Sequence, residues 1–95
     1  MVKNKYITRG VASEVDPLLQ LFMWQCVEEI PKPRDYLQVF RCSMEGERQK
    51  IIHIQEEPDY QKEYLLKLTG APFFVGKIFI IDDGDHITMM LANEY

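Results

Sequence analysis

The segment Asp16–Ile30 limits this chain more than any other stretch, because its apolar residues run almost all the way round a helix and prolines close it at both ends. Asp16 suits an N-cap, Pro17 suits the first helical position, and Pro31 and Pro33 stop the helix soon after Ile30. At about 100° per residue, Leu19, Phe22, Met23, Cys26 and Ile30 form one wide stripe that needs a sheet to cover. Leu18, Leu21 and Trp24 fall on the opposite half among Gln20, Gln25, Glu28 and Glu29, so they need a second cover or a partner.

Ninety-five residues suffice for one domain, 1–95, with a modest core. No apolar run approaches the roughly 20 residues that cross a bilayer, and Met1 to Gly10 holds no signal-peptide core. The expected address is therefore cytoplasmic, away from membranes. Cys26 and Cys42 lie on regular elements, which suits reduced, packed thiols. Charge is unevenly spread: Met1–Met44 carries six cations against five acids, and Glu45–Tyr95 carries five against ten. An acidic second half repels a phosphate backbone, so direct nucleic-acid binding is not expected and a partner with a basic surface is.

Before the helix, Lys5–Ala12 opens with Tyr6, Ile7 and Thr8 and meets Gly10, a short strand that covers a sheet edge or the outer face of the helix. Beyond it, Asp35–Met44 alternates with apolar residues on both faces, Glu45-Gly46 marks a turn, and Lys50–Gln55 supplies the next strand. Glu56-Glu57-Pro58-Asp59 is a polar turn. Tyr60–Leu68 fits either a strand or a short helix, since Tyr60, Tyr64, Leu65 and Leu68 also match a helical period. In Lys77–Leu91, two apolar runs flank Asp83-Gly84, the pair favoured in a two-residue type I′ hairpin. That loop sets Asp82 opposite Asp85, Ile80 opposite Ile87 and Ile78 opposite Met89, leaving Phe79, Ile81, His86, Thr88 and Met90 on the other face.

These elements predict an α+β fold: an antiparallel sheet of about five strands with one principal helix packed across one face. Several strands are apolar on both faces. The N-terminal strand, a second helix near Tyr60, another protein or a second copy in a homodimer has to cover the remainder.

Catalytic and metal signatures are sparse. Asp82, Asp83 and Asp85 lack the spacing of a calcium loop, and the hairpin accounts for Asp83 and Gly84 without an ion. What the hairpin leaves unexplained is the like-charge pair of Asp82 and Asp85. His53, His86 and Cys26 are the residues a small enzyme or ligand-binding protein would use, although no local signature joins them and packed or rim positions are the plainer reading. No zinc spacing, phosphate-cradling loop, nucleophile elbow or dinucleotide fingerprint appears, so neither metal nor cofactor is expected. The acids Glu45, Glu47, Glu56, Glu57, Asp59, Glu63, Asp82, Asp83 and Asp85 fall at turns and strand ends. They read either as a solvated rim or as an acidic track, since carboxylates two apart on one strand face stand about 7 Å from each other, close to phosphate spacing.

Tyr6-Ile7-Thr8-Arg9-Gly10-Val11, Leu19-Gln20-Leu21-Phe22-Met23-Trp24-Gln25, Asp35-Tyr36-Leu37-Gln38-Val39-Phe40, Gln55-Glu56-Glu57-Pro58 and the hairpin from Lys77 to His86 together resemble the short Firmicute proteins of the family DUF960. The resemblance spans nearly the whole chain; it implies a small bacterial cytoplasmic protein and brings no activity or site residues. Glu57-Pro58-Asp59-Tyr60-Gln61-Lys62, with Ile80-Ile81-Asp82-Asp83-Gly84 and Ile87 to Leu91, is similar over a smaller part to the phage uracil-DNA glycosylase inhibitors, which mimic DNA. Those inhibitors' glutamate-serine-isoleucine edge strand has no counterpart here.

The resulting expectation is a non-catalytic protein-interaction domain that grips a basic protein through Leu21, Trp24, Glu56, Glu57, Asp59, Asp82, Asp83 and Asp85. Its sharper form is a DNA-mimic inhibitor of a DNA-repair enzyme such as uracil-DNA glycosylase.

Overall fold

The computed structural model describes residues 3–95. Its elements are β1 (Asn4–Ile7), α1 (Arg9–Glu14), α2 (Pro17–Glu28), β2 (Leu37–Glu45), β3 (Arg48–Gln55), β4 (Tyr60–Leu66), β5 (Gly76–Asp82), β6 (His86–Leu91) and a closing 3₁₀ turn, Ala92–Glu94. One six-stranded sheet runs β1-β6-β5-β2-β3-β4. All neighbours are antiparallel except β1 and β6, which pair in parallel from Asn4 opposite His86 to Ile7 opposite Met89.

The helix at the centre forms as its sequence directs. Asp16 accepts from the Leu18 N–H at 2.9 Å and Pro17 occupies the first turn. Leu19, Met23, Cys26 and Val27 are buried, as is Ile30 just beyond the helix end. Leu19, Met23, Cys26 and Val27 form one core with Phe40, Ile51, Ile78, Ile80 and Met89 on one face of the sheet, and each large apolar side chain, fully buried, contributes roughly 1.5–3 kcal/mol. Tyr60–Leu66 is a strand, and its Tyr64 ring meets Phe22 edge-on at 5.0 Å.

The structure departs from the sequence reading in two places. The short strand expected in Lys5–Ala12 is present at the sheet edge as β1, but it ends at Ile7, and Thr8 then caps an additional short helix, α1, accepting from the Val11 N–H. Gly10 therefore sits in a helix, where the Glu94 carboxylate accepts its N–H at 3.0 Å. The β5–β6 hairpin is also longer than two residues. Ile80 faces Met89 and Asp82 faces Ile87, a slip of two positions. The Asp83 carboxylate accepts from the N–H groups of Asp85 and His86, a local alternative to the tight turn. Asp82 therefore does not face Asp85. Because the slip is an even number, Ile78 and Ile80 keep the core face and Phe79 and Ile81 the other.

That other face has no helix over it. Leu37, Val39, Ile54, Phe79, Ile81 and Met90 lie there half-buried only by one another, with the Tyr95 ring set edge-on to Phe79 at 5.6 Å.

Candidate functional site

Four polar side chains stand in the core beneath α2: Gln38, Gln49, His53 and Gln55, all at 2% exposure or less. Burial at that level requires partners, and the sheet supplies most of them. Gln38 donates from its amide nitrogen to the Asp35 carbonyl at 3.0 Å and to Gln55 Oε1 at 2.7 Å. Its Oε1 is therefore left to accept from His53 Nε2–H, at 2.7 Å. His53 Nδ1 is buried without a partner, the ring is stacked on Phe40 at 4.3 Å, and burial holds its pKa down at about 4. The imidazole is a neutral strut between β2 and β3.

The residues proposed for chemistry are not brought together. His53 faces α2, whereas His86 is on the opposite face, edge-on to Tyr6 at 5.2 Å and paired with Asp83 at 3.0 Å. Their strands are three positions apart in the sheet, about 14 Å. Cys26 is on the buried face of α2, where desolvation raises its pKa to about 11; the same cause takes Cys42 to about 12. Among the described residues no group of three or more His, Cys, Asp or Glu side chains is placed to hold a metal ion, and no helix is long and apolar enough to cross a membrane.

The carboxylates divide between the two ends of the sheet. Because β3 and β5 both run antiparallel to β2, their last residues, Gln55 and Asp82, lie at the end where β2 begins. The exposed acids Glu56, Glu57 and Asp59 of one turn and Asp83 and Asp85 of the other flank Asp35 there, and Asp35 accepts the Glu57 N–H at 3.2 Å. Glu45, the last residue of β2, and Glu47 in the β2–β3 turn are at the opposite end, and Lys50 lies between Glu45 and Glu63 at 3.4 Å from each. Asp82 is not a free acid. Lys3 contacts it at 2.6 Å, and although burial pushes its pKa up, the bonds from Lys3 and the Gly84 N–H and the charges of Lys3 and Arg34 bring it below the ordinary carboxylate value.

Two concavities complete the surface. On the uncovered face, a groove of about 270 Å³ runs over Leu37, Val39, Ile54 and Phe79, with Arg41 and Lys77 at one end and Asp35 and Glu56 at the other. Arg41 and Lys77 are cross-strand neighbours. On the helix side, a cleft of about 800 Å³ opens between the C-terminal part of α2, β1 and the hairpin, and Trp24 forms part of its wall. Leu21 is 55% exposed and Leu18 is 61% exposed on the same outer ridge of α2. Sequence reasoning missed this cleft because its cations, Lys3, Lys5, Lys32 and Arg34, come from separate segments.

Residues 4–94 match the family described as staphylococcal protein of unknown function (DUF960). Among solved structures, the crystal structure of a protein of unknown function from Enterococcus faecalis superposes with a TM-score of 0.83, covering 98% of this chain and 91% of that one at 21% identity. That likeness speaks for the fold alone. No curated protein matches the sequence.

Proposed function

The chain belongs to the staphylococcal family of unknown function DUF960, a membership that carries no activity with it, and we propose that it is a non-catalytic protein-interaction domain docking a partner on the uncovered face of its sheet. One observation carries this reading: Leu37, Val39, Ile54, Phe79, Ile81 and Met90 form a continuous apolar surface over which no α-helix lies, with the Tyr95 ring against Phe79 at its border. The four adjacent strands that carry these residues, at about 4.8 Å spacing and about seven residues each, span roughly 450 Å² in projection, about the size of the largest, often functional, patch on a monomer. Surfaces of this kind on soluble proteins commonly mark contact sites.

The charges at one end favour basic residues on the partner there, while Arg41 and Lys77 at the other end of the groove favour an acid. Glu56, Glu57, Asp59, Asp83 and Asp85 are exposed at one end of the same face, next to Tyr36. The DNA-mimic form of this reading has weaker support. Lys3 and Arg34 stand beside Asp82 and interrupt the run of negative charge that a phosphate track needs.

The test is a Val39→Glu variant beside a Leu18→Glu control on the helix ridge. The reading expects one discrete protein partner, or a doubled mass from a second copy, with wild type and Leu18→Glu but not with Val39→Glu. Equal behaviour of all three removes it. Addition of the protein in excess to a uracil-DNA glycosylase assay separately decides the mimic form.

A further inference from the structure

The cleft on the helix side holds four cations, Lys3, Lys5, Lys32 and Arg34, against two carboxylates. Both carboxylates are engaged: Lys3 contacts Asp82 at 2.6 Å and Lys5 contacts Glu28 at 3.5 Å. Among the described residues Lys32 and Arg34 form no ion pair, and although Arg34 stands near Asp82, that carboxylate is already in contact with Lys3, so the cleft keeps an excess of two positive charges. Arg34 adds a sharper sign, because its Nε is buried with no hydrogen-bond partner. A shielded donor of that kind costs stability until an acceptor reaches it. Between the cations the walls are apolar: Trp24, Val27, Pro33 and Ile87.

From this combination we propose that the cleft binds a small organic anion, with an apolar ring or chain against Trp24 and Ile87 and a phosphate or carboxylate head at Lys32 and Arg34. An inorganic ion alone leaves most of the about 800 Å³ unfilled, a volume within the range of small-molecule sites. An uncharged ligand leaves the excess positive charge unneutralised and offers Arg34 only a weaker acceptor, and a cation meets repulsion. The planar guanidinium fork matches carboxylate and phosphate oxygens, and such charge-assisted bonds are about twice as strong as neutral ones. This site is on the opposite side of the sheet from the docking surface, so the two readings stand or fall separately.

Trp24 is the only tryptophan of the chain, so its fluorescence reports directly on the cleft. The experiment titrates the full chain with phenyl phosphate and, below its micellar concentration, decyl phosphate, with decanol and inorganic phosphate as comparators. The proposal expects a saturable change in Trp24 emission with at least one ester, and affinities at least about tenfold lower for both comparators. Lys32→Gln/Arg34→Gln weakens the ester by about tenfold or more. Lys32→Gln alone, at an exposed position, weakens it less and serves if the double variant does not fold. A response to the phenyl ester alone identifies a ring-bearing ligand, and to the decyl ester alone a chain. No saturable response to either ester, equal response to decanol, or affinity unchanged in the variants overturns the assignment.

Discussion

Gln38 and His53 share a buried 2.7 Å hydrogen bond whose direction is set by the other bonds of Gln38: with its amide nitrogen engaged by Asp35 and Gln55, only its oxygen faces the imidazole. The imidazole must donate through Nε2, and it does so while neutral. Gln38→Leu removes that acceptor and both donors at once. It is expected to cost about 3 kcal/mol, measured by urea unfolding, with most of the loss arising from polar groups left buried and unpaired.

The same imidazole makes stability depend on pH. Burial lowers its pKa from 6.5 to about 4, so the unfolded chain binds more protons than the folded one between these values. The stabilisation is complete above the unfolded pKa and falls as pH drops toward the folded one. Unfolding free energy is expected to fall by about 2 kcal/mol from about pH 7.5 to about pH 5. His53→Phe should flatten that slope, whatever its effect on stability at neutral pH.

Gln49 ties the segment before β5 to the core. Its amide nitrogen donates to the carbonyls of Ser43 and Phe74 at 2.9 Å each, and its oxygen accepts the Phe74 N–H at 2.8 Å. Gln49→Ala is expected to cost about 2–3 kcal/mol. Amide hydrogen exchange at Phe74 should accelerate more than exchange at Ile51, two residues along β3 from Gln49 itself.

Gly10 and Glu94 fasten the two ends of the chain. A Cβ on Gly10 would stand 2.7 Å from the Glu94 carboxyl group and from Leu91 Cδ1. Gly10→Ala should therefore destabilise by about 1 kcal/mol although alanine is the better helix former. Thermal unfolding of the double variant with Glu94→Ala should show a smaller penalty for the added methyl, since one of the two obstructing groups is then gone.

The thiols should be inert in the folded chain. Burial raises Cys26 to about 11 and Cys42 to about 12, which leaves little thiolate at neutral pH. Dithiodipyridine at about pH 8 is expected to label both only after unfolding.

Local chemistry was sufficient for much of this architecture. Asp16, Pro17 and Pro31 bound the helix wherever the chain goes, because a cap and a missing N–H act within a few residues. Period-two alternation likewise assigned Ile78 and Ile80 to one face and Phe79 and Ile81 to the other, and it survived a register slip of two because the count is even. Contacts that periodicity does not register decided the rest. The turn length depends on the backbone N–H groups that Asp83 reaches two and three residues on, a local choice between two turns, whereas α1 is held by a Glu94 carboxylate 84 residues away from Gly10. Parallel pairing of β1 with β6, and the meeting of Lys3 and Lys5 with Lys32 and Arg34 around Trp24, join segments that no short-range pattern connects. Periodicity tells each residue which face to take; only the assembled sheet determines which distant charges become neighbours, and that is where the candidate sites arise.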